Sequence, residues 1–304
     1  MVFARRGAVK TRREPAGFHG SGVPIFGGKF ERAVLLLSTG RTGTKALASY
    51  FDAAFDNVCA LHEPPRSRHL RVASNRFLRG RLSERRLVEL YAAARQARFA
   101  RVREPVYIES NPFLHGFVGV FDEIFDSPRV VHIVRDPRTY VRSYINHGAF
   151  RGIKGLAARY YPDWMLKPER MDPAAPRRWR DMSQVERIAW RWDTINGVLD
   201  RGEAVYGDRY LRIKFEDIFA EDGSGLRRLA EWVGLPASAA FERLREERVN
   251  ASQGRNLPRW EQWDLKDRQT LLDLCGRRME RYGYSTTVNS TSAAPAQHPV
   301  STPT

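Results

Sequence analysis

Short apolar runs alternate along the chain with stretches in which apolar residues recur every three or four positions. Residues 33–37 (AVLLL) have the length and aliphatic content of a strand covered on both faces. From 45 to 55 the apolar positions Ala46, Leu47, Tyr50, Phe51, Ala54 and Phe55 then follow helical spacing. Further strands are predicted at 58–61, 106–108, 130–134 and 210–215. A helix capped by Ser83 carries Leu87, Leu90, Tyr91 and Ala94 on one face, and another follows at 138–147. Ser183 and Glu186 form a capping box opening a long helix with Val185, Ile188, Ala189, Trp192, Ile195 and Leu199 inward. Two short helices separated by Gly234-Leu235-Pro236 and an amphipathic helix at 265–282 complete the pattern. Strands alternating with helices predict an α/β fold with a parallel, doubly wound sheet and its site at the strand C-termini. No internal repeat is present.

The polar residues at the strand exits carry the chemistry. After the first strand come Gly40, Arg41, Thr42, Gly43, Thr44 and Lys45, a small, hydroxyl-rich turn that opens a helix. Its backbone donors converge on whatever lies above the strand, and Arg41 and Lys45 would repel each other there without an anion. The spacing is not that of a Walker A loop, which needs four residues between its glycines and a Lys-Ser/Thr pair after the second. Gly40 and Gly43 are two residues apart, and Ala46 stands where a magnesium-binding hydroxyl belongs. The second strand delivers His62 and Glu63 just before Pro64-Pro65, and the third delivers Glu109, Ser110 and Asn111. The fourth ends in Arg135, with Ser143 about a turn and a half into the next helix, two donors suited to phosphate.

Residues 148–182 lack periodicity and hold four prolines with Tyr160, Tyr161, Trp164 and Trp179, which predicts a functional lid. Residues 1–30 read as a flexible basic arm, 31–284 as one domain, and 285–304, rich in Ser, Thr, Ala and Pro, as a disordered tail. Of 51 Lys and Arg against 35 Asp and Glu, residues 1–30 hold six cations and one acid, and 63–103 hold twelve cations and three acids. Such an excess suits nucleic acid, a membrane surface, an anionic nucleotide or simply a solvated helix face. Cys59 and Cys275 form neither a disulfide framework nor a metal cluster. With no signal-peptide core and no apolar stretch of membrane-span length, the chain is expected to be soluble and cytoplasmic.

Taken together, three stretches resemble the sulfotransferases that use 3′-phosphoadenosine 5′-phosphosulfate (PAPS). Arg41-Thr42-Gly43-Thr44-Lys45 is similar to their 5′-phosphosulfate loop, with Lys45 departing from the usual last residue. Arg135 and Ser143, eight residues apart, match their 3′-phosphate element, and Phe215-Glu216-Asp217 followed by residues 226–235 resembles a third signature. The resemblance spans roughly residues 33–284. It implies a three-layer α/β fold like that of P-loop NTPases, a central, mostly parallel five-stranded sheet with helices on both faces, and sulfuryl transfer from PAPS to a hydroxyl or amine without a required metal.

By the same resemblance, Gly40 to Lys45, Arg135 and Ser143 would hold the donor, with Arg41 stabilising the leaving oxygen. Arg255, in a polar loop with Asn250, Ser252 and Gly254, would close over the nucleotide. A glutamate base is expected at Glu63 or Glu109. Glu63 is favoured because His62 and the paired prolines make a rigid polar exit, and one of the two should instead be salt-bridged to an arginine. His62, Ser110 and Asn111 would position an acceptor, which the sequence does not identify. Two other classes remain open. One is a kinase-like phosphotransferase on a degenerate phosphate loop, for which no magnesium ligands are evident. The other is a basic nucleic-acid-binding module, supported by net charge alone.

Overall fold

The computed structural model describes residues 23–148, 155–156, 160–161, 163–236 and 258–288. Five strands, β1 (Arg32–Ser38), β2 (Val58–His62), β3 (Val106–Ser110), β4 (Arg129–Val134) and β5 (Tyr210–Lys214), form one sheet in the order β2-β3-β1-β4-β5. Every pairing is parallel. The longer helices are α1 (Thr44–Ala54), α2 (Ser67–Leu78), α3 (Glu84–Phe99), α4 (Pro137–Asn146), α5 (Gln184–Leu199), α6 (Ser224–Val233) and α7 (Leu265–Arg281). The predicted three-layer α/β architecture is the one observed.

β1 lies at the centre because it can be buried on both faces. Ala33, Leu35 and Leu37 pack with Leu87, Tyr91 and Phe99 of α3, while Val34 and Leu36 pack with Leu47 and Phe51 of α1 and Leu229 of α6. Val34, Leu35 and Leu36 expose no surface, and each such side chain contributes about 1.5–3 kcal/mol. The chain leaves β3 and crosses beneath β1 to enter β4, so the exits of β3, β1 and β4 lie side by side at the switch point where open parallel sheets place ligands.

α2 lies where sequence reasoning predicted only a stop at Pro64-Pro65. Leu70 and Ala73 are buried in the core with Phe77 and Leu78 packed against it, and Ser67, Ser74 and Asn75 are buried beside them. Small residues there let the backbone of Gly116 approach so closely that a Cβ would fall 2.6 Å from Ser74 Cα. Ser74 Oγ donates to the Phe113 carbonyl at 2.6 Å. The described part of the 148–182 stretch is docked on this helix, because Asn75 Nδ2 donates to the Asp163 carbonyl at 2.8 Å and Arg76 and Arg79 pair with the Asp163 carboxylate.

Elsewhere the boundaries follow expectation. Ser183 and Glu186 make the reciprocal capping bonds of α5, and Gly234 ends α6 in a left-handed conformation. The second short helix predicted beyond Pro236 and the polar loop around Asn250, Ser252, Gly254 and Arg255 lie outside the described residues, as do residues 1–22 of the predicted arm and most of the tail. Residues 25–30 pack on the domain: Phe26 N donates to the Ile124 carbonyl at 2.9 Å, and Phe30 stacks on Tyr107. Cys59 and Cys275 are buried and free. Among the described residues no helix is long and apolar enough to cross a membrane.

Gly43 shows how tightly the first loop is built. It has φ +68°, and a Cβ on it would meet Phe219 Cε2 at 2.4 Å. Gly276, inside α7, faces open space, with Thr286 Cγ2 no nearer than 3.9 Å. Gly43→Ala is therefore expected to lower stability by about 2 kcal/mol or more through the left-handed backbone and the clash. Gly276→Ala should raise it by about 0.5–1 kcal/mol through helix propensity. Urea melts of both variants check the contrast.

Candidate active site

Between Ser38 and Thr44 the chain turns through three left-handed residues, Gly40 (φ +84°), Arg41 (φ +58°) and Gly43 (φ +68°). Ser38 Oγ accepts from Gly40 N at 3.0 Å. The carbonyl of Thr39 is held by Arg191 Nη1 at 2.7 Å and by Tyr140 Oη at 3.3 Å. α1 then starts without a side-chain cap and without an acid in its first turn. Among the described residues no acceptor meets the amides of Thr44, Lys45 and Ala46. The Thr42 hydroxyl is buried and equally without a partner. Such a set of orphan donors at a positive helix end is an anion cradle.

Two guanidinium groups face this cradle. Arg135 donates through Nη1 to the Arg41 carbonyl and through Nε to Thr139 Oγ1 at 3.0 Å. Arg41 in turn donates from Nε to Ser143 Oγ at 3.3 Å. The loop arginine, the β4-exit arginine and the α4 serine, separated in sequence by about a hundred residues, therefore form one junction. Neither arginine has an ion-pair partner among the described residues. Burial pushes both guanidinium groups below their ordinary pKa, and at Arg135 the proximity of Arg41 adds to the effect while Glu216 opposes it.

Sequence reasoning placed Arg135 in the site but missed what holds it. Its guanidinium packs 4.3 Å from the centroid of the Phe215 ring, and its carbonyl accepts from Trp192 Nε1 at 2.9 Å. Glu216 Oε1 accepts from Asp136 N at 3.1 Å while Tyr284 Oη donates to Glu216 Oε2 at 2.8 Å. The Phe-Glu pair of the third signature thus braces the β4 exit. Arg191 was missed too, although a signal existed: an arginine within the apolar face formed by Ile188, Ala189, Trp192 and Ile195.

The two candidate base positions differ in every respect. Glu109 is fully buried and accepts five hydrogen bonds, from Tyr91 Oη (2.8 Å), Arg95 Nε (2.9 Å), Arg95 Nη2 (2.6 Å), Tyr107 Oη (2.7 Å) and Asn111 Nδ2 (2.8 Å). Burial alone would push its carboxyl up, but Arg95 and these donors hold it below the ordinary value. Glu63 sits in a left-handed conformation (φ +44°) with its amide bound to the Ser110 carbonyl at 3.0 Å. Its side chain is 37% exposed, and partial burial raises its pKa against the opposing fields of Arg71 and Arg68.

β2–β3 register sets His62 beside Ser110. Ser110 Oγ donates to the Thr44 carbonyl at 2.9 Å, so it accepts from His62 Nδ1 at 3.3 Å. Burial pushes the imidazole pKa down against the hydrogen bond with Ser110, with Lys45 adding to the fall, and Nε2 lies 3.6 Å from Glu63 Oε1. Asn111 is not free to position a ligand, since its Nδ2 bonds Ser67 Oγ and Glu109 while its Oδ1 accepts from Phe113 N. Lys45 is exposed at the rim. Among the described residues no group of three or more His, Cys, Asp or Glu is placed to hold a metal ion.

The model of the sulfotransferase family matches residues 33–239. A search of curated proteins matched none. Among solved structures, the sulfotransferase domain from the curacin biosynthetic pathway superposes with a TM-score of 0.51 at 11% identity, covering 84% of this chain and 98% of that one. The sulfotransferase domain of the Synechococcus PCC 7002 olefin synthase gives 0.47 at 17% identity, with coverages of 84% and 95%. Mouse sulfotransferase SULT7A1 complexed with PAP gives 0.46 at 14%, with coverages of 82% and 85%.

Breaking the Arg95–Glu109 pair leaves one charge buried alone. Glu109→Ala is expected to destabilise the fold by about 3–5 kcal/mol. Because the folded-state pKa of Glu109 is depressed, its contribution is present above the unfolded pKa and is lost as pH falls through the folded one. Urea melts of wild type from pH 7 to pH 3 should therefore lose stability that the variant, already lacking the group, does not lose.

Proposed function

Because the chain belongs to the sulfotransferase family, we propose that it moves a sulfuryl group from PAPS to a hydroxyl or amine of a carbohydrate, lipid or other small acceptor. The observation that carries this reading is the junction of Arg41 with Arg135 and Ser143 above the uncapped start of α1. The residues present fit the donor: a cradle of orphan amides, an unpartnered Thr42 hydroxyl and two arginines without carboxylates are what a phosphosulfate and a second phosphate need. PAPS, when bound, supplies an activated sulfuryl group with a phosphate oxygen as leaving group.

In this reading the amides of Gly43, Thr44 and Lys45, with the Thr42 and Thr44 hydroxyls, bind the 5′-phosphate. Gly40 gives the loop its turn, and Lys45 adds charge at the rim. Arg135 and Ser143 take the 3′-phosphate, with Arg255 as a further contact. Arg41 neutralises charge developing on the leaving oxygen. An arginine does not readily give up its proton, so its work is electrostatic rather than acid catalysis. The acceptor proton passes to Glu63, whose Oε1 lies 3.6 Å from His62 Nε2 at a partly exposed strand exit. Glu109, saturated by five donors, serves as a structural carboxylate in this reading.

Isothermal titration with adenosine 3′,5′-bisphosphate, with and without magnesium and beside ATP, tests the donor. Metal-independent binding that Arg135→Ala abolishes is the expected result, and magnesium-dependent ATP binding in its place would overturn the reading. In steady-state sulfuryl transfer, Arg41→Ala should lower kcat by about 10²–10³-fold.

The pH dependence tests the base. Because the Glu63 pKa is raised, the carboxylate is lost at a higher pH than for an ordinary glutamate. The acid limb of kcat/KM is therefore expected above pH 4.5 and should disappear in Glu63→Gln, with kcat reduced about 10²-fold or more. An unchanged limb in that variant would remove Glu63 from the role.

A further inference from the structure

Most arginines of the basic 63–103 stretch for which a contact is recorded are spent within the protein. Arg76 and Arg79 pair with Asp163, Arg85 and Arg86 with Glu89, Arg95 with Glu109, and Arg66 bonds the Ala93 carbonyl. Arg71 is different. The Asp163 anchor on α2 sets the next residue, Trp164, over it, so that its guanidinium carbon lies 4.5 Å from that ring centroid and 5.2 Å from that of Phe113. Rings hold a guanidinium by its faces and leave the N–H groups of its edge unanswered. Among the described residues no oxygen accepts from any of them.

A second cation lies close by. Arg191, only 6% exposed, uses Nη1 on the Thr39 carbonyl and on Tyr140 Oη. No acceptor among the described residues meets its Nε or Nη2. Its guanidinium carbon sits 5.3 Å from the Tyr144 ring centroid. Arg191 is placed at the foot of the donor loop by its bond to the Thr39 carbonyl, and Arg71 lies within electrostatic reach of it. The local field is positive. Arg71 is pushed down to about 10 by burial and then by Arg191 and Arg68, against Tyr144 and Glu63. The enclosed His115 is pushed down to about 3 by burial, with Arg191 and Arg71 adding to it.

These guanidinium edges are not among the buried unsatisfied groups, so they remain open to solvent with no acceptor among the described residues, and a bidentate oxyanion is the partner that answers such an edge best. Glu63 does not do this, since it makes no ion pair with Arg71. We propose that Arg71, flanked by Arg191, docks an oxyanion carried by the acceptor itself, so that the group sulfated belongs to a molecule bearing a carboxylate, phosphate or sulfate. The inference rests on reading the Glu63 side of the site as the acceptor side of a sulfotransferase. It narrows the acceptor from any hydroxyl compound to an anionic one.

The test uses the full chain saturated with adenosine 3′,5′-bisphosphate. It is titrated with 4-hydroxybenzoate, its methyl ester and 4-hydroxyphenyl phosphate, followed by tryptophan fluorescence and calorimetry. Wild type should bind at least one of the two anions about tenfold or more tighter than the ester. Arg71→Gln should erase that preference while leaving affinity for the nucleotide within about twofold, and Arg71→Lys, which keeps the charge but not the fork, should retain only part of it. The anion with the larger Arg71 effect names the class.

Equal binding of anions and ester by wild type, or a preference that survives Arg71→Gln, overturns the proposal. If Arg71→Gln does not fold, as judged by circular dichroism, the wild-type comparison and Arg71→Lys decide. If the nucleotide itself does not bind, the donor reading fails separately. The anion preference is then read on Arg135→Ala without nucleotide, where the donor cradle is weakened and Arg71 is intact.

Discussion

The structure depends on a hydrogen bond that brings two like charges close together. The guanidinium of Arg135 reaches the carbonyl of Arg41, bringing two cations together with no carboxylate between them. An arginine in the left-handed region is itself strained by about 1–2 kcal/mol. Both features persist because everything around them is fixed. Trp192 and Phe215 clamp Arg135, Arg191 and Tyr140 clamp Thr39, and Phe219 closes under Gly43. A site that holds its repulsion in place before the ligand arrives does not have to reorganise when negative charge enters.

The same logic separates the two glutamates. Both end parallel strands at the switch side of the sheet, and composition does not tell them apart. What distinguishes them is depth. Glu109 points into the layer under α3, where Arg95 and two tyrosines absorb every lone pair, and the result is a rivet between β3 and α3. Glu63 stands past the end of β2, partly in water, with the His62 imidazole beside it, its pKa pushed down by burial. In the β2–β3 register two residues separate the carboxylate locked in the core from the one at the surface.

Much of this was legible in the sequence. The strands announced themselves as aliphatic runs, and the loop by its glycines and cations, because a parallel strand buried on both faces admits few other residues. The spacing and the family resemblance tie Arg135 to Ser143, and the contact of both with the loop needed the fold. α2 was missed because Ser67, Ser74 and Asn75 interrupt the apolar face formed by Leu70, Ala73 and Phe77, and the small residues serve close approach. Of the supporting residues, Trp192 reads as core, Phe215 only as part of the third signature and Arg191 not at all, since a helical apolar stripe looks the same whether or not one member also holds a backbone carbonyl. Arg71 was hidden among a dozen basic neighbours until their partners were known.

The strand order has a consequence for how the molecule is made. β1 emerges from the ribosome first, yet both of its edges stay unpaired until β3 and then β4 have been synthesised. Until then an aliphatic strand with two open sides is exposed, the most adhesive segment of the nascent chain. The loop attached to it lacks its brace in that interval, because Arg135 follows β4. Assembly of the site is therefore a late event in folding, gated by long-range parallel pairing, and premature termination anywhere before Arg135 yields a sticky fragment instead of a smaller enzyme.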